Sequence, residues 1–173
     1  MPALKLTLIS LGVGLLYYLG ARLGVTSASL PSGIAILWPP NAVLLAAMLT
    51  LQMRYWPYLA ASVLLAVFVA DYPFFSGFEA ALLGVVAIGE CTFTALLLRR
   101  LSPDGAPAPD WGEPWSLALF ILVILFIVSP VAAVLGASVY TFVILDGASF
   151  ASFWKIWWLG DATGLIALTP ALH

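Results

Sequence analysis

A run of 31 residues without a charged side chain, from Trp115 to Leu145, limits what this chain can fold into. As one helix it would be about 46 Å long, well beyond the roughly 30 Å of hydrocarbon in a bilayer. Two full spans would need about ten more residues. The run therefore predicts one long membrane helix, which Pro130 kinks and whose last residues leave the membrane.

The composition of the whole chain indicates the same class of protein. Of 173 residues, 64% are hydrophobic and 8% are charged, whereas soluble domains carry about a quarter charged residues. We therefore predict an all-α, polytopic integral membrane protein in which residues 1–173 form a single domain within the lipid bilayer. Six scattered basic residues and a net charge of -2 exclude nucleic acid as a partner. The lone cysteine, Cys91, excludes an internal disulfide and is interpreted as a packing residue.

Five further apolar runs complete a predicted bundle of about six transmembrane helices. Turn-rich or charged segments separate them. The predicted spans are Leu4–Gly20, Gly33–Leu51, Trp56–Ala70, Glu79–Leu98, Trp115–Leu145 and Phe153–Pro170. Only the segment between Arg100 and Pro114 resembles a soluble loop.

The second span is interrupted by the sequence Trp38-Pro39-Pro40-Asn41. Two prolines remove two backbone donors and disfavour helical geometry before them, while proline suits the first position of the helix that follows. We predict that the second span is discontinuous here, with an inner half helix that begins near Pro40. Irregular backbone at that depth must be buried in protein or line a wet cavity. A continuous helix merely kinked by proline is the alternative.

The distribution of basic residues predicts how the bundle is oriented. If the N-terminus is cytoplasmic, four basic residues near span ends are cytoplasmic and two are outside, in agreement with the positive-inside rule. The cytoplasmic set is Lys5, Arg54, Arg99 and Arg100, and the outside set is Arg22 and Lys155. With six spans, the C-terminus at His173 is cytoplasmic as well.

The sixth span contains Asp161 well inside its apolar run. A carboxylate in hydrocarbon costs a few kcal/mol, so Asp161 should face a partner, a cavity or a neighbouring helix. On a helical wheel Gly160 and Gly164 lie toward one side of the same face, where another backbone can come close. Three tryptophans share that face with Asp161, namely Trp154, Trp157 and Trp158.

Glu90 lies near the predicted bilayer centre, and Asn41 lies at the start of the half helix. Charged residues inside spans are hypotheses for functional sites, although each carboxyl group could instead only fix helix packing. The tryptophans could likewise belong to the membrane interface. The candidates for ligand binding or signalling are Trp38, Pro39, Pro40, Asn41, Glu90, Trp154, Trp157, Trp158, Asp161 and Gly164. The candidates for helix packing are Gly160, Gly164, Pro130 and Pro170.

The sequence contains no motif typical of an enzyme or a metal site. Its one histidine is His173, and it has no cluster of cysteine or histidine, no nucleophile elbow, no glycine-rich phosphate loop and no HExxH. We therefore predict neither a catalytic residue nor a metal ligand in this domain.

Four features extend over nearly the whole chain and together resemble the MASE1 family of bacterial membrane-associated sensor domains. They are the Trp38-Pro39-Pro40-Asn41 break, Glu90 upstream of Arg99-Arg100, Ser129-Pro130 in a long apolar run, and the closing segment from Trp157 to Gly164 followed by Thr169-Pro170. The first and last features are the more specific.

The resemblance implies an all-helical sensory input module in the bacterial inner membrane. Such a module is joined through its C-terminus to a cytoplasmic histidine kinase, diguanylate cyclase of cyclic di-GMP signalling, or related output. Because those outputs work as dimers, it also implies a homodimer. Two departures stand against the family pattern: Ala42 occupies a position where members often have glycine, and the chain is shorter and stops at His173. It is expected to be an excised sensor or a short relative that works through a partner.

Two classes of function remain open from the sequence. In the first, a small ligand or a partner protein occupies a cavity between the second, fourth and sixth spans and shifts the last helix. In the second, the chain is a small-molecule transporter or substrate-capture subunit, because broken helices are common at transporter sites. The absence of an evident inverted repeat disfavours a self-contained transporter. A scaffold protein that packs through Gly160 and Gly164 is a third interpretation.

Overall fold

A computed structural model of the chain describes residues 1–26, 38–72, 74–102, 105–144 and 149–173. These residues are almost entirely helical, and no strand occurs among them, which confirms the predicted all-helical fold. The α-helices are α1 (Ala3–Thr26), α2 (Pro40–Thr50), α3 (Trp56–Asp71), α4 (Gly77–Leu101), α5 (Pro114–Val123), α6 (Ser129–Val139) and α7 (Phe150–Leu172). A short 3₁₀ turn, Met53–Tyr55, leads into α3.

Helices α5 and α6 belong to one continuous helical segment, Pro114–Ile144. Two π-helical stretches interrupt its α-helical register, Ile124–Val128 just before α6 and Tyr140–Ile144 just after it. The segment agrees with the prediction of one long span in this region. The segment departs from regular α-helix through the π-helical stretches on both sides of α6.

Four helices of the described chain are long and apolar enough to cross a membrane, by length and composition. They are Ala3–Gly24, Met53–Asp71, Gly77–Leu101 and Pro114–Ile144. The predicted six spans are not confirmed by this criterion. Helix α7 has 23 residues, but its tryptophans, Lys155 and Asp161 lower its hydropathy. Helix α2 has 11 residues and is about 16 Å long, so it is long enough to cross only about half of a hydrocarbon layer.

The helix after the double proline begins at Pro40, with Pro39 in the position before it. Proline suits this place because the first turn of a helix leaves its N–H groups without intrahelical partners. Trp38, one residue earlier, is not helical. The outer half of the predicted second span precedes Trp38 and lies outside the described residues, so the discontinuous span stays a prediction.

Helix α2 lies inside the bundle, because eight of its 11 residues are buried. Leucines of α1, by contrast, point outward over much of its length, and Leu4, Leu8 and Leu15 are each more than half exposed. Such an outer surface suits lipid. The half-length helix is therefore held among longer ones, and its first polar residue, Asn41, enters the interior.

Candidate functional site

Five helices each contribute one polar side chain to a single buried cluster, which we call the polar cluster. Its members are Tyr17 of α1, Asn41 of α2, Glu90 of α4, Ser129 of α6 and Asp161 of α7. None is more than 4% exposed. Burying so many polar groups costs free energy unless they are hydrogen bonded to one another.

Glu90 lies at the centre of the polar cluster. The Asn41 amide Nδ2 donates to Glu90 Oε2 at 2.8 Å, and the Ser129 hydroxyl donates to Glu90 Oε1 at 2.8 Å. The Tyr17 hydroxyl donates to Asn41 Oδ1 at 3.1 Å. Both ends of the Asn41 amide are therefore used, and both carboxyl oxygens of Glu90 accept a hydrogen bond from a neutral donor.

Asp161 of α7 brings a second carboxyl group into the polar cluster. Its carboxyl group is in hydrogen-bonding contact with that of Glu90. The two hydrogen bonds that Glu90 receives from Asn41 and Ser129 both come from neutral donors. Among the described residues, a buried carboxyl pair with neutral donors is sensitive to added or removed charge, because the interior has a low dielectric constant.

The segment before α2 packs directly against α7. The Trp38 backbone N–H donates to the Gly160 carbonyl at 3.2 Å, and the Trp38 side chain contacts the Tyr17 hydroxyl. At Gly164, an added Cβ would lie 2.8 Å from the Trp38 carbonyl carbon and closer still to its oxygen. Glycine at this position lets the nonhelical backbone lie on the surface of α7.

Pro39 and Pro40 place α2 next to α1 and α7. A Cβ added at Gly20 of α1 would lie 3.4 Å from the Pro40 ring, so α1 passes close to this point. Asn41 then follows in the first turn, where its side chain faces Glu90. The prolines therefore set where α2 begins, and the beginning of α2 sets which residue enters the polar cluster.

Trp154 and Trp158 are anchored to backbone carbonyls of the Pro114–Ile144 segment. Trp154 Nε1 donates to the Pro130 carbonyl at 3.0 Å, and Trp158 Nε1 donates to the Leu125 carbonyl at 2.7 Å. The Ser129 N–H bonds to Ile124, five residues back, so the next residue in this register would bond to Leu125. That residue is Pro130, which has no N–H. The Trp158 indole replaces the missing donor.

Trp157 lies between the polar cluster and the packing surface of α6. Its ring covers Gly136, where an added Cβ would lie 2.6 Å from the indole carbons. One helical turn further on, its side chain contacts the Asp161 carboxyl group. Yet within the described part of the chain the buried indole N–H has no acceptor in hydrogen-bond geometry.

The structure brings Asn41, Glu90 and Asp161 together, with Trp38 and Trp157 at the edges of the cluster. The other sequence candidates lie around it: Trp154, Trp158 and Pro130 on the α6–α7 contact, Gly160 and Gly164 under Trp38, and Pro170 in the last turn of α7. Sequence reasoning missed Tyr17 and gave no role to Ser129. For both residues, a hydroxyl group inside an otherwise apolar span is the sequence feature that could have indicated a role in the site.

Neither the curated proteins nor the solved structures contain a match to the chain. The MASE1 family model, in contrast, matches residues 9–173, which is nearly the whole sequence. MASE1 domains are membrane-associated sensory input domains and are not catalytic, which agrees with the apolar helices and the absence of enzyme motifs described above. The chain therefore belongs to the MASE1 family, and its role is that of a membrane sensor domain.

Proposed function

We propose that this domain perceives a small ligand, a partner protein or a membrane cue, and that α7 passes the signal to a cytoplasmic output such as a histidine kinase or diguanylate cyclase. The observation that carries this proposal is the polar cluster, which joins Asp161 of α7 to Glu90 of α4. Among the described residues, Glu90 is hydrogen bonded to α2 and α6, so its contact with Asp161 connects α7 to both of those helices.

The contacts of α7 are of two kinds, and only one kind responds readily to a chemical signal. Trp154 and Trp158 donate to backbone carbonyls, which have no alternative charge state. Asp161 contacts another carboxyl group, so a cation, a hydrogen-bonding ligand or a proton would change this contact directly. A cue that favours one arrangement of Asp161 and Glu90 would shift α7 relative to α2 and α4.

We further propose a topology that suits such a relay. Residues 1–173 act as one domain of the bacterial inner membrane, with both termini in the cytoplasm. The C-terminal end of α7, at Leu172, then leads toward the output. Because kinase and cyclase outputs act as dimers, two copies of the domain would work together, and the displacement of α7 in each copy would change the geometry between the two outputs.

The test is a fusion of the domain to a diguanylate cyclase or kinase output with Asp161→Asn. Asparagine keeps the shape of the side chain but removes the ionisable group. We expect basal output to change several-fold while the free energy of unfolding in detergent changes by about 1 kcal/mol or less. Asp110→Asn is the matched control, since Asp110 is exposed in the loop after α4. If both variants and the parent give equal output, Asp161 does not take part in signalling.

A transporter or substrate-capture subunit is the alternative that the double proline supports, because α2 starts inside the bundle with a polar residue in its first turn. Reconstituted liposomes separate the two classes. A sensor binds a labelled compound without accumulating it, whereas a transporter accumulates it inside the vesicle in a time-dependent manner. Uptake that Asp161→Asn abolishes would favour the transporter.

A further inference from the structure

The contact between Glu90 and Asp161 has a chemical requirement that the other contacts of the polar cluster lack. Two ionised carboxylates are both acceptors only, so they cannot hydrogen bond to each other. A hydrogen bond between two carboxyl groups needs a proton on one of them. Glu90 and Asp161 are both buried and their side chains are in contact. We propose that they form a proton-binding site, in which one exchangeable proton is held on Asp161 and donated to Glu90.

The donors around the two groups decide which acid is ionised. Glu90 receives the Asn41 amide on one oxygen and the Ser129 hydroxyl on the other, both at 2.8 Å. Hydrogen bonds to an ionised carboxylate favour the ionised form. No comparable pair of donors reaches Asp161 from the described residues. The negative charge therefore resides on Glu90 and the proton on Asp161.

Trp157 supplies a partner for the state without the proton. Its buried indole N–H contacts Asp161 but lacks an acceptor in hydrogen-bond geometry among the described residues. When Asp161 loses its proton, the O–H bond breaks, the proton passes to water as hydronium, and both bonding electrons stay on the carboxylate. The indole N–H can then donate to the carboxylate oxygen. An unpaired donor beside an acid is the arrangement that this exchange requires.

Two titratable groups of the described chain interact with the pair, and neither carries positive charge. Tyr17 of α1 and Cys91 of α4 interact electrostatically with Asp161, and each is neutral or negative in every protonation state. Helices α2 and α6 present Asn41 and Ser129, which do not titrate. Loss of the proton therefore places a second negative charge beside Glu90. Repulsion between the two carboxylates would separate α7 from α4.

This inference depends on the proposed sensory function in one respect only: the consequence that the domain senses pH rests on that function. The proton itself can be observed without an output. Infrared difference spectra of the full chain in nanodiscs, recorded across a pH titration, report the C=O stretch of a protonated carboxylic acid. We expect a band that titrates and that disappears in Asp161→Asn. It should persist in Asp110→Asn, which removes an exposed acid.

Glu90→Gln checks the assignment of the proton to Asp161. The band should persist in this variant with an altered frequency, because Asp161 keeps its proton but loses its ionised acceptor. A band that vanishes in Glu90→Gln and remains in Asp161→Asn would overturn the assignment. A parent spectrum without a titrating band from either acid would overturn the proton site itself. Thermal unfolding of each variant identifies any that fail to fold.

Trp157→Phe provides a second variant that keeps both acids. Because phenylalanine lacks the N–H that favours the ionised form, the titration midpoint of the band should move up by about one pH unit. An unchanged midpoint would contradict the role of Trp157. At constant pH, replacing N-methylglucamine with Na⁺ or K⁺ should leave the band intact. Loss of the band on adding either ion would show that the pair binds a metal cation, and it would overturn the proposed proton site.

The same variants separate this inference from the proposed function. If the band titrates but a fused output is indifferent to pH and to Asp161→Asn, the proton site stands and the sensory role of the pair fails. If the output responds to Asp161→Asn while no band titrates, the sensory role stands and the proton site fails.

Discussion

Both ends of α2 are hydrogen bonded to α4, but the chemistry at each end differs. At the N-terminal end, Asn41 donates to Glu90, and Glu90 contacts Asp161. At the C-terminal end, Arg99 of α4 donates through Nη2 to the carbonyls of Met48 and Leu51 at 3.0 and 3.1 Å. One end is therefore built from groups that can gain or lose a proton, and the other from a permanent cation.

The C-terminal end is reinforced by an aromatic residue. Trp56 Nε1 donates to the Met48 carbonyl at 3.1 Å, and the guanidinium carbon of Arg99 lies 5.2 Å from the centre of the Trp56 ring. The last carbonyls of a helix lack intrahelical donors and carry partial negative charge, so a cation and an indole N–H both stabilise them. Neither group changes its charge at physiological pH.

This difference indicates a fixed end and an adjustable end on the same short helix. The first turn of α2 lies in the buried interior, where polar groups must be satisfied by protein, whereas its C-terminal end adjoins the exposed residues 52–54. Helix α4 contacts both ends: Glu90 accepts a hydrogen bond from the Asn41 side chain, and Arg99 donates to the Met48 and Leu51 carbonyls. Changes at the C-terminal end should therefore reduce stability, whereas conservative changes at the N-terminal end should alter signalling more than stability.

The largest loss of stability is expected from Arg99→Leu. It removes two charge-assisted hydrogen bonds and leaves the Met48 and Leu51 carbonyls with one donor from Trp56. We expect the free energy of unfolding, measured by denaturant titration in mixed micelles, to fall by about 3 kcal/mol. Arg100→Leu is the control, because Arg100 is exposed. If the two substitutions cost the same, the capping role of Arg99 is wrong.

Gly164→Ala tests the adjustable end. The new methyl group would lie 2.8 Å from the Trp38 carbonyl carbon, and a backbone atom cannot move aside as the tip of a side chain can. We expect a loss of about 2 kcal/mol in the free energy of unfolding, together with changed basal output, because Trp38 is pushed away from α7.

Gly89→Ala is the matched control for this glycine. Gly89 lies in the middle of α4, and nothing lies within 4 Å of an added Cβ. Alanine should therefore be neutral there, or stabilising by up to about 1 kcal/mol, because alanine is the better helix former. If Gly164→Ala behaves like Gly89→Ala, the backbone of Trp38 does not rest on α7 as described.

Part of this arrangement could be predicted from the sequence, because insertion into a membrane makes each interior polar residue conspicuous. Asn41, Glu90 and Asp161 stand out among apolar neighbours, and the double proline sets the start of α2 through a missing N–H. Whether these residues meet depends on how the helices pack, and periodicity alone does not determine that. The pairing of Asn41 with Glu90 crosses 49 residues of chain.

The parts that sequence reasoning missed share a physical cause. Arg99 was interpreted as a marker of topology at a helix end, whereas its long side chain reaches back to the carbonyls of α2. The sequence places Trp158 on the same face as Asp161, but in the structure its N–H donates to the Leu125 carbonyl. That carbonyl lacks a backbone donor because of the π-helical register and Pro130. A π-helical stretch has no sequence period of its own, so its orphaned carbonyl was not foreseen.

Trp56→Phe separates the two components of the fixed end. Phenylalanine keeps a ring near Arg99 but removes the indole N–H that donates to Met48. Because Arg99 still donates to the same carbonyl, we expect a loss of about 1.5 kcal/mol, smaller than for Arg99→Leu. The free energy of unfolding in mixed micelles is the measurement. A loss equal to that of Arg99→Leu would make the tryptophan the principal cap.

The smallest effect is expected from Tyr17→Phe at the adjustable end. The hydroxyl of Tyr17 donates to Asn41 Oδ1 at 3.1 Å, and its removal leaves the Asn41–Glu90 hydrogen bond in place. We expect the free energy of unfolding to fall by about 1 kcal/mol, the net value of one neutral hydrogen bond. Tyr18→Phe, at the neighbouring and only partly buried tyrosine, should cost less. The fused output should respond to Tyr17→Phe, because the Asn41 side chain is then held by Glu90 alone, while Trp56→Phe should leave the output unchanged. A response to Trp56→Phe that equals the response to Tyr17→Phe would abolish the distinction between a fixed and an adjustable end.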